Sequence, residues 1–266
     1  MSISFCSFAS GSSGNCYLVK SDTTSLLIDV GISGKKIFNS LDSVGLNIED
    51  IKGIFITHEH IDHIKSVRIV SKKAKMANVF ASRGTWEHIN DLVFEEKRTV
   101  VSEKTPFVIG DITVKPFALS HDAKEPLGYT FSKDNKQIVI ATDTGCVTEE
   151  MFSHLCDSDI MVLEANHEVN ILRMGSYPYK TQQRILSDKG HLSNVDTGKC
   201  ICNILEKNKG EKKPRIILAH MSRENNTPEQ AYLTIKNILQ ENNFYIEKHL
   251  LLDVIGKDMV SPFFEV

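Results

Sequence analysis

The chain has 266 residues, a length that allows a single large α/β domain with a substantial core. Its formal net charge of -3 excludes a global attraction to nucleic acid, so a polyanionic partner would need a local basic patch. The six cysteines form no C-x-x-C pair, which argues against a zinc knuckle and for a reducing compartment. The sequence shows neither a signal-peptide pattern nor a membrane-spanning run. We therefore expect a cytoplasmic protein without a membrane partner, folded as one domain over residues 1–266.

The first third of the chain predicts short strands that give way to helices. The predicted strands, separated by turns such as the glycine-rich "SGSSGN", are "SISFCSF", "CYLVKS", "SLLIDV" and, after a helix in "SGKKIFNSLDSVGL", "KGIFIT". Apolar residues at Ile64, Val67 and Val70 then predict one helix that begins at Asp62.

The remainder of the chain repeats this alternation of strands and helices. Predicted strands are "DITVKPFAL", "LGYTFSK", "KQIVIAT", "DIMVLEA", "PRIILAH" and "HLLLDV", and predicted helices include "NVDTGKCICNILEK" and "PEQAYLTIKNILQ". Two similar halves predict an α/β sandwich in which two sheets pack face to face with helices outside.

A dense group of ligand-type side chains follows the strand "KGIFIT", where His58, His60, Asp62 and His63 fall within six residues. In an extended segment, residues i and i+2 face the same way, so His58 and His60 can bind one ion. A turn into a helix directs Asp62 and His63 towards a second ion. Imidazoles and carboxylates suit zinc, and also manganese or iron. The alternative, a solvated loop with chance histidines, is disfavoured by the frame H-x-H-x-D-H.

Three further predicted strands each end at a ligand-type residue, namely His121, Asp143 and His220. Singly, each would more often be structural than functional. Together with the cluster they complete a set of seven ligand-type residues. Asp29 ends another strand, "SLLIDVG", and we expect it to orient a ligand imidazole rather than to bind metal.

The order of these residues, over almost the whole chain, resembles the metallo-β-lactamase superfamily. The resemblance implies an αββα sandwich with a site along the edge where the sheets meet. It also implies two divalent metal ions per chain, Zn²⁺ with Mn²⁺ or Fe²⁺ as alternatives, the first held by His58, His60, His121 and Asp143, and the second by Asp62, His63, His220 and the shared Asp143. It does not determine the substrate, because the superfamily hydrolyses thioesters, lactams, lactones and phosphodiesters.

Two further residues, Glu164 in "LEANH" and His191 in "KGHLSN", resemble the phosphodiesterase branch of the superfamily. In that branch a Glu and His pair donates a proton to the leaving oxygen, which a poor leaving group such as a sugar alkoxide requires. The resemblance implies attack by a metal-bridging hydroxide, with Asp62, Glu164 and His191 as catalytic residues. The alternative is that His191 caps a helix and Glu164 forms an ion pair.

The segments "FASGSSGNCYLV", "SHDAKEPLGYTF", "EANHE" and "HMSRENNTPEQA" resemble the YycJ/WalJ group within this branch. This resemblance implies a bacterial nuclease that degrades DNA rather than RNA from the 5′ end, with a link to mismatch repair. The glycine-rich turn is typical of a phosphate cradle, although a simple hairpin explains its glycines equally well. The expected substrate contacts are Ser12, Ser13, Asn15 and Ser222.

The chain also lacks room for the additions that distinguish some nucleases of the superfamily. Only 21 residues separate His121 from Asp143, which disfavours the arm by which tRNase Z grips tRNA. The alternative functions are hydrolysis of a small phosphodiester, as in PhnP-like enzymes, or of a thioester, and a binding module without turnover. The intact ligand set disfavours the last of these. The oligomeric state and the metal in the cell stay open.

Overall fold

The structure, a computed structural model, describes residues 2–103 and 105–266. In this part of the chain, the strands are β1 (Ser4–Ala9), β2 (Cys16–Lys20), β3 (Ser25–Ile28), β4 (Ile51–Phe55), β5 (Asn78–Ala81), β6 (Arg98–Val100), β7 (Phe107–Ile109), β8 (Ile112–Ala118), β9 (Leu127–Lys133), β10 (Lys136–Ala141), β11 (Ile160–Glu164), β12 (Arg215–Ala219), β13 (Leu251–Val254) and β14 (Phe264–Glu265). The α-helices are α1 (Gly34–Ser43), α2 (Ile61–Ile64), α3 (Val67–Lys73), α4 (Arg83–Ile89), α5 (Glu149–Cys156), α6 (Val169–Met174), α7 (Tyr179–Ile185), α8 (Asn194–Asn208) and α9 (Pro228–Glu241). None of the helices in the described ranges is long and apolar enough to cross a bilayer.

The strands form two mixed sheets, in the orders β14-β1-β2-β3-β4-β5-β6 and β13-β12-β11-β10-β9-β8-β7. Strand β3 runs parallel to β4 in the first sheet, and β10, β11 and β12 run parallel to one another in the second. Parallel neighbours place their carboxyl ends at the same edge of a sheet. The residues that follow these strands therefore meet at one edge of the molecule.

The sheets pack face to face over an aromatic core. The ring of Phe55 stacks on Phe80 of its own sheet, with 4.8 Å between centroids, and meets Tyr129 and Phe131 of the other sheet edge-on at 5.2 and 5.5 Å. Helices α1, α3 and α4 cover the outer face of the first sheet, and α5, α8 and α9 cover that of the second. The predicted α/β sandwich with outer helices is confirmed, and it has the αββα layers that the resemblance implies.

The single helix predicted to begin at Asp62 is wrong, because the segment forms two short helices, α2 and α3, that are interrupted at Ser66. The Ser66 amide donates to the Val30 carbonyl at 3.0 Å, and its hydroxyl donates to the Ile32 carbonyl at 2.6 Å. These bonds tie the segment to the loop after β3 instead of to the preceding turn of helix. The helical spacing of apolar residues survives the break because both helices bury them in the same core.

Candidate metal centre

The predicted ligands lie in the loops that follow strands, except Asp62 and His63, which lie in the short helix α2 that follows β4. The sheet edges and this helix together bring the set into one place. His220 directly follows β12, and Asp143 lies two residues after β10. The backbones of Asp29, Asp143 and His220 take positive φ angles of 57°, 62° and 49°. This conformation costs a non-glycine residue about 1–3 kcal/mol and is concentrated at functional sites. The residues with strained backbones therefore lie at the same edge of the sheets as the predicted ligands.

The first predicted group consists of His58, His60 and His121, which each offer a ring nitrogen within 4.8 Å of the others. The Nδ1 of His121 lies 3.0 Å from the Gly190 carbonyl, to which it donates, and Nδ1 of His58 lies 3.0 Å from the Thr57 hydroxyl. Because these bonds occupy Nδ1 in both rings, Nε2 is left as the donor atom to a metal.

The second predicted group consists of Asp62, His63 and His220, whose donor atoms also lie within 4.8 Å of one another. A carboxylate accepts a hydrogen bond from each of the two imidazoles in this group. Asp29 Oδ2 accepts from Nδ1 of His63 at 2.7 Å, and Glu164 Oε1 accepts from Nδ1 of His220 at 2.7 Å. Asp29 thus lies where an orienting carboxylate was expected. It also accepts from the Thr57 hydroxyl at 2.9 Å.

Asp143 lies between the two groups. Its Oδ2 is 3.3 Å from Nε2 of His63, while its Oδ1 is 3.3 Å from Nε2 of His220 and 3.8 Å from Nε2 of His121. One carboxylate therefore faces imidazoles of both groups.

Several nitrogen and oxygen atoms that could bind a metal at this centre are buried without a hydrogen-bond partner. In the described part of the chain these include Nε2 of His58, Nε2 of His220 and Oδ2 of Asp143. Each unsatisfied buried polar atom costs about 1–3 kcal/mol. A cation would satisfy all three, and imidazole nitrogens with carboxylate oxygens suit zinc, manganese or iron. The residues present therefore fit divalent metal ions.

The pKa values of two histidines at the centre also indicate a site that favours positive charge. Burial lowers the pKa of His220, but the Asp143 carboxylate and hydrogen-bonded partners outweigh it and raise that pKa to about 10. Burial is likewise outweighed at His63, where Asp29 and Asp143 raise the pKa of the imidazole well above its ordinary value. At His58 burial and the nearby His63 lower the pKa. The buried carboxylates thus create a strongly negative site that stabilises positive charge.

Glu164 and His191 are brought together beside these groups. Nδ1 of His191 donates to Oε1 of Glu164 at 2.8 Å, and the other carboxylate oxygen accepts from the Thr144 amide at 2.9 Å. The side chain of His191 is 16% exposed, whereas that of Glu164 is fully buried. Glu164 can thus act on a substrate only through the imidazoles it holds. The hydroxyl that caps α8 belongs to Ser193, which disfavours the capping alternative for His191.

A cleft of about 320 Å³ opens above the metal groups. Its lining includes an ion pair between Arg184 and Asp122 that the sequence did not predict. Arg184 lies 2.9 Å from Oδ2 of Asp122, and Oδ1 of Asp122 is 3.3 Å from Nε2 of His121. The position of Asp122 directly after a predicted ligand was the available signal. The cleft is lined by Ser12, His60, Ile61, Asp62, His121, Asp122, Asp143, Arg184, His191 and His220.

The four expected substrate contacts occupy different positions. Ser12 is exposed and lines the cleft, whereas Ser13 is exposed over a neighbouring depression. Asn15 is fully buried with its Nδ2 3.0 Å from Nε2 of His63, and the buried Ser222 hydroxyl accepts from the Asn225 amide at 3.2 Å. Asn15 and Ser222 thus differ from the expected substrate contacts, because internal hydrogen bonds occupy both side chains.

The sandwich and its edge of histidines and aspartates define a metal-dependent hydrolase of the metallo-β-lactamase fold. The metallo-β-lactamase fold protein YhfI from Bacillus subtilis has a similar structure, with a TM-score of 0.73 at 13% identity, and the match covers 100% of both chains. A family model described as a beta-lactamase superfamily domain matches residues 24–221.

Two curated relatives narrow this class. The chain is 37% identical to exodeoxyribonuclease YycJ of Bacillus anthracis over 92% of each chain. It is 38% identical to exodeoxyribonuclease WalJ of Streptococcus pneumoniae over 97% of this chain and 96% of that protein. The chain therefore belongs to the β-lactamase superfamily, in the group that contains YycJ and WalJ, and the resemblance found in its motifs is confirmed. The fold of this family implies divalent metal ions at the site.

Proposed function

We propose that the protein is a metal-dependent exodeoxyribonuclease that removes nucleotides from the 5′ end of DNA. The observation that carries the proposal is the placement of His191, which lines the cleft beside the ligand groups with its Nδ1 bonded to a buried carboxylate. This arrangement suits proton delivery to an alkoxide leaving group. The names of the curated relatives, which align over nearly the whole chain, support DNA as the polymer.

In this proposal the seven predicted residues hold two divalent ions, which we take to be Zn²⁺, with Mn²⁺ or Fe²⁺ as alternatives. When bound, such ions supply an activated water and neutralise charge on the phosphate. Asp29 and Glu164 orient the imidazoles of His63 and His220. The ligands are assigned as His58, His60 and His121 for one ion, Asp62, His63 and His220 for the other, and Asp143 between them.

The proton that completes the reaction comes from Nε2 of His191. Because Glu164 occupies Nδ1, that ring presents Nε2 to the cleft and can protonate the sugar oxygen as it leaves. The guanidinium of Arg184, held by Asp122 at 2.9 Å, supplies a positive charge to a phosphate in the same cleft. Asp62, which lines the cleft as well as joining the second group, completes the catalytic residues.

A small phosphodiester or a thioester is the less supported substrate, because both curated relatives are named exodeoxyribonucleases. The proposal includes a role in DNA repair and a cytoplasmic location, the latter supported by six free cysteines. It also treats residues 1–266 as one domain, since one hydrophobic core draws on strands of both sheets.

The test uses purified protein with end-labelled single-stranded and double-stranded DNA and RNA, in zinc and in manganese. We expect mononucleotides to be released progressively from the 5′ end of DNA, with RNA degraded more slowly. His60→Ala should abolish this activity. A matched change of an exposed histidine outside the site, His88→Ala, should not. Absence of DNA hydrolysis with either metal, or equal loss in both variants, would contradict the proposal.

A further inference from the structure

A second, strongly basic cleft lies beside the metal centre. It has a volume of about 290 Å³, and its lining residues include Lys36, Lys65, Arg223 and Lys257. Asp258 is the one carboxylate among the lining residues, and it pairs with Lys36 at 2.9 Å. Four cations against one carboxylate leave a formal charge of +3 in a protein whose total charge is -3. A local excess of this kind attracts an anion.

Residues close together in the chain line the basic cleft and the cleft of the metal centre. Ser12 lines the cleft above the metal groups, and the next residue, Ser13, lines the basic cleft. Lys65 lies two residues after the predicted ligand His63 in the chain. Two or three residues of chain span at most about 10 Å, so the backbone of Lys65 lies within about that distance of His63. A duplex strand rises about 3.4 Å per nucleotide, so this distance corresponds to a few nucleotides.

The other wall repeats this relationship. Arg223 lies three residues after the predicted ligand His220, and Lys257 donates from Nζ to the Ser222 carbonyl at 2.9 Å. The Lys257 carbonyl accepts from the amide of Ser10, whose hydroxyl accepts from the His220 amide at 2.8 Å. The segments that supply the second group of ligands therefore also supply or anchor three of the four cations of the basic cleft, namely Lys65, Arg223 and Lys257.

Helix α1 begins at the same place. Its N-cap residue, Ser33, lines the basic cleft, and the Ser33 hydroxyl accepts from the Lys36 amide at 3.3 Å. The amino end of a ten-residue helix adds partial positive charge to the four side-chain cations. Burial and the nearby Arg223 lower the pKa of the Lys257 ammonium, a cost that an anion in the cleft would relieve.

Resting on the proposed nuclease function, we infer that the basic cleft binds a phosphate of the DNA strand within a few nucleotides of the phosphate that is cleaved. The turn that carries Ser12 and Ser13 separates the two positions, so the strand passes over this turn. The cleft thereby fixes the strand relative to the metal centre. The bound group is either the 5′-terminal phosphate or an internal phosphodiester, which share the same chemistry.

The test is equilibrium binding of the metal-loaded protein to a single-stranded phosphorothioate oligonucleotide that carries a fluorophore at its 3′ end. The variant is Lys65→Gln/Arg223→Gln, since both side chains are exposed and neither forms an ion pair with any residue that the structure describes. The matched control, Lys75→Gln/Lys213→Gln, removes two exposed charges elsewhere. Thermal unfolding should show the same midpoint for both.

We expect the cleft variant to bind about tenfold more weakly at low salt, and the control to bind within twofold of the unchanged protein. The slope of log K against log salt should become shallower by about 0.7, because the one phosphate that the cleft no longer neutralises contributes about 0.7 on a single strand. A weakening confined to a 5′-phosphorylated strand assigns the cleft to the terminal phosphate, and an equal weakening with a 5′-hydroxyl strand assigns it to an internal one. Unchanged affinity and slope in the cleft variant would overturn the inference.

Hydrolysis by the unchanged protein separates this inference from the proposed function. If that protein cleaves natural DNA while the cleft variant binds as tightly as the control, the basic cleft is not a phosphate site and the nuclease function stands. If binding is weakened about tenfold in the variant but the unchanged protein hydrolyses no DNA, the nuclease function fails while the cleft still binds nucleic acid.

Discussion

Glu164 holds His220 through a 2.7 Å hydrogen bond from Nδ1 of the ring to Oε1 of the carboxylate. The same oxygen accepts from Nδ1 of His191 at 2.8 Å. One buried carboxylate thus positions both a candidate metal ligand and the imidazole that lines the cleft. In the proposed mechanism, metal affinity and proton delivery are therefore coupled through a single side chain.

We predict that Glu164→Gln lowers metal affinity by about 10–100-fold, the usual cost of losing a carboxylate behind a ligand imidazole. The amide is neutral and a weaker acceptor, so His191 should also be held less firmly and kcat should fall even when metal is saturating. Titration against a chelator measures the first effect, and kcat at saturating metal measures the second.

The matched control is Glu168→Gln. Glu168 lies four residues further along the chain, and its carboxylate bonds to Asn194 and Thr234 rather than to an imidazole. The control should keep the metal affinity of the unchanged protein. If Glu164→Gln keeps it as well, the carboxylate does not support the ligand.

A second prediction concerns Asp143, whose carboxylate faces imidazoles of both groups. The protein prepared with excess metal should contain two ions per chain by elemental analysis. Asp143→Asn should lose at least one ion and nearly all activity, because a neutral amide cannot balance two cations. The asparagine still tolerates the positive φ of 62°, so the backbone can be kept.

Asp134→Asn provides the control for Asp143→Asn, since Asp134 also has a positive φ, 53°, and lies in a turn outside the site. Its metal content should match that of the unchanged protein. One fully occupied ion in the unchanged protein, even with excess metal, would rule out a dinuclear centre.

A third prediction concerns how the free energy of unfolding depends on pH through His154, a residue outside the metal groups. His154 is buried, its Nδ1 is 2.7 Å from the Thr130 hydroxyl, and its ring stacks on Phe117 with 4.4 Å between centroids. Burial, with a smaller contribution from Lys115, lowers its pKa to about 4. Between about pH 6.5 and 4 the unfolded chain therefore binds more protons at this residue than the folded protein does.

The contribution of His154 to the free energy of unfolding is thus fully present above about pH 6.5 and is lost as the pH falls towards 4. We expect this loss to be about 1–3 kcal/mol. Denaturant unfolding at several pH values should show a flatter dependence in His154→Gln than in the exposed control His88→Gln. An identical pH dependence in both would show that His154 is not the titrating group.

The convergence of the candidate ligand residues could be predicted because the signal is local. A run of apolar residues predicts a buried strand, and each of Asp143 and His220 comes at or just after the end of one. The alternation of strands and helices then requires carboxyl ends of parallel strands to meet at one edge. Asp29, which follows β3, was placed behind a ligand by the same reasoning, and its 2.7 Å bond to His63 fits that expectation.

The connections within the site could not be predicted from sequence, because they depend on the packing of distant segments. Nothing in the sequence indicates that one oxygen of Glu164 serves both His191 and His220, residues 27 and 56 positions away. The hydroxyl of Thr57, which links Asp29 to His58, gave no sequence signal because threonine is common in strands. The break at Ser66 likewise arises from its bonds to a separate loop.

The central claim, a two-metal phosphodiesterase in which His191 donates the proton, is tested most directly by His191→Ala on two substrates. On DNA, kcat should fall about 10²- to 10⁴-fold, because the sugar oxygen must be protonated as it leaves. On bis(p-nitrophenyl) phosphate the loss should be much smaller, since p-nitrophenolate leaves without a proton, and both metal ions should be retained. An equal loss on both substrates, or loss of the metals, would contradict the account.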